Sequence, residues 1–138
     1  KKGTVVEDIV APNIPRIARE YFHCENLEDF SVRRKLLNTK DRRTTREFDV
    51  IAVGDHMVLV NETKSTPRTE YIDDFARMLD TLFDYLPQYR GYRVIPIFSS
   101  LYLDEETVRY LTGKKIYAMG MKGDTMVILN SGLEQEGS

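Results

Sequence analysis

The chain has 138 residues, 41% of them hydrophobic and 30% charged, which is enough apolar material for one core and too much for a disordered chain. With 8 Gly and 5 Pro it is neither collagenous nor of low complexity, and its single cysteine, Cys24, excludes an internal disulfide. No apolar run approaches the roughly 20 residues that span a bilayer, and no signal-like segment opens the chain. The expectation is a soluble, cytoplasmic protein with one domain over residues 1–132 and a loose tail over 133–138. Lys1-Lys2-Gly3 lacks an initiator Met and reads as the cut end of something longer, which leaves room for a flanking domain.

From Thr4 to Phe22, Val5, Val6, Ile9, Val10, Ile14, Ile17 and Ala18 form an apolar stripe of helical period, which Pro12 and Pro15 should kink or briefly break. Phe30–Leu37 reads as a strand with Phe30, Val32 and Leu36 on one face. Glu47–Val53 and Met57–Lys64 read as two strands around Gly54-Asp55-His56. Pro67–Leu86 is a long amphipathic helix marked by Ile72, Phe75, Leu79, Leu82 and Leu86, with Thr66 as its N-cap and Pro67 in first position. Tyr92–Phe98 is an apolar strand that Pro96 places near an edge or bulge. Asp104 caps a short helix that Gly113 ends, and Lys115–Met119 with Thr125–Leu129 forms a last hairpin. The order is αβββαβ followed by an αββ extension, an α/β domain with a mixed central sheet.

The net charge of −2 says little by itself; its distribution says more. Arg33, Arg34, Lys35, Lys40, Arg42, Arg43 and Arg46 face only Asp41 in their stretch, a local net of +6 that leaves −8 on the rest. Such a segment suits a phosphate backbone. It equally suits a solvated hairpin whose charges protect an edge strand.

The second and third strands carry the residues that invite chemistry. Met57-Val58-Leu59-Val60 is apolar on both faces, as a central strand should be, yet the strand ends with Glu62 and Lys64 on one face. Its partner carries Asp49 within a mostly apolar run. Charges this close to a core cost several kcal/mol unless they are paired, bind a metal or face a cleft. Register decides whether the carboxylates meet. A two-residue loop at Asp55-His56 sets Asp49 opposite Glu62, and a Gly54-Asp55 loop sets them diagonally on one face. A three-residue loop separates them across the sheet. Two facing carboxylates call for a shared proton or a cation, and Mg²⁺ takes such oxygen ligands at about 2.0–2.1 Å. Lys64 beside it could orient a water or stabilise charge on a phosphate.

At these residues the chain resembles the PD-(D/E)XK nuclease superfamily, the restriction-endonuclease-like fold, and most closely its small uncharacterised prokaryotic members. The match is Asp49, twelve residues, then Glu62-Thr63-Lys64, in an αβββαβ order over residues 4–99. The resemblance implies a metal-dependent nuclease using Mg²⁺, with Mn²⁺ as substitute. Asp49, Glu62 and the Thr63 backbone carbonyl would bind the metal, and Lys64 would assist the attacking water. Glu7 on the first helix would complete the acidic cluster, with Asp8 as its fallback. The family's proline before the aspartate is absent; Phe48 stands there. DNA is the implied partner, held by the basic segment Arg33–Arg46, and a homodimer would explain double-strand cutting.

Other residues have plainer readings. His23 and His56 lack partners at ligand spacing, Cys24 reads as a core residue, and Asn61-Glu62-Thr63 is a chance glycosylation pattern. Tyr85, Tyr89 and Tyr92 could stack on bases or close the core. Arg68, Glu70 and Arg77 line the long helix and are candidates for facing the site. The rival function is a catalytically inactive module of the same fold that binds nucleic acid or protein. A second rival is a structural domain whose flanks carry the assembly role.

Overall fold

The computed structural model describes residues 5–133. β1 (Leu27–Leu37), β2 (Thr45–Gly54), β3 (Met57–Thr63), β4 (Arg93–Ser99), β5 (Tyr117–Lys122) and β6 (Thr125–Ile128) lie side by side in that order as one sheet. β1, β2 and β3 run antiparallel in turn, β4 and β5 join parallel, and β6 returns antiparallel. α1 (Ala11–Phe22), α2 (Thr69–Leu79), α3 (Leu82–Tyr85) and α4 (Glu105–Gly113) cover its faces. The architecture is mixed α/β, as the alternating patterns require. Among the described residues no helix is long and apolar enough to cross a membrane.

The apolar residues of β3 divide between two cores. Leu59 joins Val50, Ala52, Ile95 and Ile97 beneath α1, while Val58 and Val60 join Ile51, Val53 and Phe98 beneath α2, α3 and α4. A strand covered on both sides has no polar face, so its run of four apolar residues follows directly.

Several expectations need correction. The first helix begins as a π-helical turn, Val5–Val10, and becomes α-helical at Ala11, because Pro12 and Pro15 cannot donate the backbone bonds that would carry one ladder through. Thr4 lies outside the described residues. The long helix is two helices. Thr81 donates both its N–H (2.8 Å) and its hydroxyl (3.0 Å) to the Met78 carbonyl, which closes α2 before Leu82 starts α3. Thr66 does not cap α2; the chain stays extended through Arg68 (φ −121°, ψ 150°), and α2 starts at Thr69.

β1 begins at Leu27, and its residues do not keep one face. Phe30 is exposed, Val32 packs on the α1 side and Leu36 on the α2 side. Arg33, at φ 57°, interrupts the alternation between them. β4 is central, not an edge. Arg93 N–H donates to His56 O and Ser99 O accepts from Lys64 N–H, so odd positions of β4 bond toward β3 and Pro96 points toward β5. Pairing with β5 begins only at Ile97, so no partner waits for the N–H that Pro96 lacks. At the C-terminus Leu133, placed with the loose tail, is buried in the core under α1, and residues 134–138 lie outside the described residues.

Candidate active site

The β2–β3 hairpin turns on Asp55 and His56, both left-handed at φ 51° and 62°, the signature of a two-residue type I′ turn. The ladder then pairs Gly54 with Met57, Val53 with Val58 and Val50 with Asn61. Continued one step past Val50, this register, the first of the three open from sequence, would set Asp49 opposite Glu62.

Regular pairing stops there, because β2 changes phase. Phe48, Ile51 and Val53 all pack beneath α2 and α3, whereas strict alternation would send Phe48 to the other face. Arg33 on β1, at φ 57°, lies between the pairs Val32–Val50 and Arg34–Phe48. The Asp49 carboxylate takes over the bonding at this break. Its Oδ2 accepts the Thr63 N–H at 2.8 Å. The Thr63 carbonyl, on the same edge of β3 as that N–H, therefore points toward Asp49.

Glu62 is deeply enclosed, its side chain 13% exposed. Lys64 Nζ stands 3.5 Å from Glu62 Oε2, and Arg46 Nη2 stands 3.9 Å from Glu62 Oε1. Arg46 is anchored from the far side by Asp74 of α2 at 2.8 Å, and Lys64 Nζ lies 4.5 Å above the Tyr71 ring. Beneath Thr63, its hydroxyl donates to Asn61 Oδ1 (2.7 Å), and Asn61 Nδ2 donates to Ser99 Oγ (2.6 Å). Asn61 and Ser99 are buried. Asn61 thus belongs to the scaffold of the site, which its reading as a chance glycosylation pattern gave no hint of.

Burial is the main force raising the Glu62 carboxyl, to about 7, and the neighbouring charge of Asp49 adds to it against Arg46 and Lys64. Burial also raises Asp49, opposed by the Thr63 N–H and by Lys64. Because Glu62 titrates near 7 when folded and near 4.5 otherwise, the folded chain holds the extra proton between those values. Metal-free stability therefore falls as pH rises through that window and levels off above it. At about 1.4 kcal/mol per unit, the wild type should lose about 3 kcal/mol relative to Glu62→Gln between pH 4.5 and pH 7. Urea unfolding of both proteins in EDTA across this range measures it; parallel profiles would refute the burial of an ionisable Glu62.

Asp49, Glu62 and Lys64 thus come together, with the Thr63 carbonyl beside them. Glu7 is exposed on the π-helical turn, and Asp8 beside it is exposed too. Among the described residues no group of three or more Asp, Glu, His or Cys side chains is arranged to hold a metal. Two carboxylates and a carbonyl are hard oxygen donors of the kind Mg²⁺ takes, with water completing the shell.

The basic residues disperse. Arg33 pairs with Glu47 (3.2 Å), Arg34 with Asp29 (3.7 Å), Lys40 with Asp84 (3.9 Å) and Arg43 with Asp41 (3.6 Å). Lys35 and Arg42 are exposed. Arg46, one of the expected phosphate contacts, is a half-buried neighbour of Glu62. Tyr85 is buried against Phe48, while Tyr89, Tyr92 and His56 form a chain of rings at 5.2 Å spacing. That chain begins at His56, about 26 Å along β3 from Lys64, so it is no platform for this site.

No family model matches the chain, and no curated protein sequence matches it. Among solved structures it is similar to the crystal structure of the small subunit (R.BspD6I2) of the heterodimeric restriction endonuclease R.BspD6I. The identity is 12% and the TM-score 0.41, over 86% of this chain and 68% of that one.

Proposed function

We propose that the chain is a metal-dependent phosphodiester hydrolase acting on nucleic acid, a nuclease of restriction-endonuclease-like fold. The observation that carries this is that Asp49, held to the Thr63 N–H at 2.8 Å, lies beside Glu62, with Lys64 Nζ 3.5 Å from the same Glu62 carboxylate. Paired carboxylates beside an ammonium, half-enclosed at a strand end, suit attack on a phosphate ester.

Asp49, Glu62 and the Thr63 carbonyl would hold Mg²⁺ or Mn²⁺, which when bound supplies Lewis-acid polarisation of the phosphate and a more acidic water. The chain's own residues do the rest. Glu62 and the Tyr71 ring hold the Lys64 ammonium beside the two acids, where it can orient water or offset charge building on the phosphate. Asp74 holds Arg46 at the other side of Glu62, a second cation facing the same place. The Asn61–Ser99 bonds fix Thr63 and with it the carbonyl. Exposed Lys35 and Arg42 would add salt-sensitive contacts to the backbone without base readout. DNA as substrate, rather than RNA, rests on the family resemblance.

A second reading is an inactive nucleic-acid- or protein-binding module. It is favoured by Arg46 and Lys64 together, because two cations already stand within 3.9 Å of Glu62 and could take the place of a metal. A cleavage assay on plasmid and single-stranded DNA, with Mg²⁺, Mn²⁺ or EDTA, separates the two. Metal-dependent cleavage is the expected result, and binding indifferent to metal with no cleavage would favour the inactive module.

A further inference from the structure

The start of α2 and the first half of α4 line an open cavity of about 530 Å³ to which Asp49, Glu62 and Lys64 do not contribute. We propose that it is a subsite for one nucleotide of the substrate strand, flanking the phosphate under attack at a remove of a few nucleotides; this rests on the nuclease reading above. Its volume falls within the roughly 300–1,000 Å³ of small-molecule sites, far more than a lone ion needs.

The lining divides in the way a nucleotide does. Arg68 and Arg109 stand at the walls against one acid, Glu106, and guanidinium forks match phosphate oxygens in pairs. Arg109 is available for this. Its bridge to Glu105 is 4.0 Å long between side chains that are 70% and 95% exposed, a pair worth little in water. The half-buried Tyr110 ring gives an apolar side against which a base or sugar can lie. Tyr110 is held in place, because its hydroxyl donates to Asp73 at 2.5 Å, and Asp73 also meets Lys114 at 3.5 Å. The wall is therefore set before any ligand arrives.

The position fits the chemistry. Pro67, on the cavity wall, follows Lys64 by three residues, at most about 11 Å between Cα atoms. That spans about three nucleotides at the roughly 3.4 Å rise of a duplex strand, and fewer in an extended single strand. A strand crossing Lys64 thus reaches the cavity with a flanking nucleotide. Half of the cavity comes from α4, in the αββ extension beyond the core that carries Asp49, Glu62 and Lys64.

The test is fluorescence anisotropy of a short fluorescein-labelled oligothymidylate on the full chain, in EDTA and over a salt series, so that no cleavage enters. Arg68→Ala/Arg109→Ala should weaken binding about tenfold and flatten the salt slope by about 0.7, the loss of one phosphate contact on a single strand. Thr107→Trp, which fills the cavity and keeps every charge, should weaken binding to a similar extent. Arg19→Ala, on exposed α1 surface, should change neither value. Wild-type affinity and slope in the first two variants would overturn the subsite, as would absence of oligonucleotide binding by the wild type. Free thymidine monophosphate displacing the oligonucleotide at equal affinity would also overturn it, since the cavity would then serve a free nucleotide. None of these outcomes touches metal-dependent cleavage, which tests the nuclease reading separately.

Discussion

Lys64→Ala is expected to lower turnover on nucleic acid by about 10²–10³-fold while leaving divalent-metal binding in place. Asp49→Ala is expected to abolish both. The difference follows from what each side chain can give. Lys64 has no lone pair for a metal at neutral pH, and its ammonium only faces Glu62 and the Tyr71 ring. Being partly exposed, it can be truncated with little effect on folding. Asp49 would be a donor to the metal and is the acceptor of the Thr63 N–H, so its loss would also free the backbone that carries the Thr63 carbonyl. Asp49→Asn separates the two roles, because an amide oxygen can still accept from Thr63 but carries no charge. Lys64→Arg tests geometry, since a guanidinium keeps the charge and spreads it over a plane. Metal-dependent rates beside a metal titration of each folded variant check the set. Equal activity in Lys64→Ala and wild type would remove Lys64 from the reaction.

Gly54→Ala is expected to destabilise the fold by about 3 kcal/mol, measured as a lower urea midpoint at unchanged slope. A Cβ at Gly54 would lie 2.1 Å from the Asn26 carbonyl oxygen, 2.9 Å from Asn26 C and 3.0 Å from Leu27 Cα. All three are backbone atoms, so no side chain can swing away and β1 itself must shift. Asp55 holds the same segment, its Oδ2 accepting from the Glu25 N–H at 2.8 Å and the Asn26 N–H at 3.3 Å. Gly54 therefore lets β1 approach the hairpin whose register brings Asp49 to Glu62. A stability within about 0.5 kcal/mol of wild type would show that β1 yields easily.

Gly54 also shows where the sequence was ambiguous. A glycine before Asp55 is an acceptable first residue of a type II′ turn, and that register would have put the carboxylates diagonally. The structure uses it as a strand residue under a close backbone crossing, and the turn falls on Asp55 and His56. Tertiary contact from Asn26 decides this, and local turn chemistry carries no trace of it. The pairing of Asp49, Glu62 and Lys64 was still legible, because the apolar run of β3 and the spacing of charges survive in two of three registers.

Arg46 was not legible as part of the site. Period-two alternation puts it on the face opposite Asp49, and only the phase change at Phe48 brings it toward α2 and Glu62. Arg33 in a left-handed conformation accompanies that change, and nothing in Val32-Arg33-Arg34 announces it, since arginine has no preference for positive φ. Pro96 misled for a related reason. Proline in a strand implies an edge, but a central strand also has a free side wherever its neighbour starts late, and the start of β5 is a tertiary fact. The stripe over Pro67–Leu86 identified Ile72, Phe75, Leu82 and Leu86 as buried, while Leu79 is only partly buried and Met78, outside the stripe, is buried. It could not show the stop at Thr81, because the apolar spacing continues from α2 into α3 across the break.

The most direct test of the account is a calorimetric titration of Mn²⁺ into the metal-free protein at pH 8, above the titration of Glu62 near 7. The account predicts one site in the wild type, its loss in Asp49→Asn and Glu62→Gln, and its persistence in Lys64→Ala. No binding by the wild type, or binding that survives both carboxylate substitutions, would contradict a cation site built on Asp49 and Glu62.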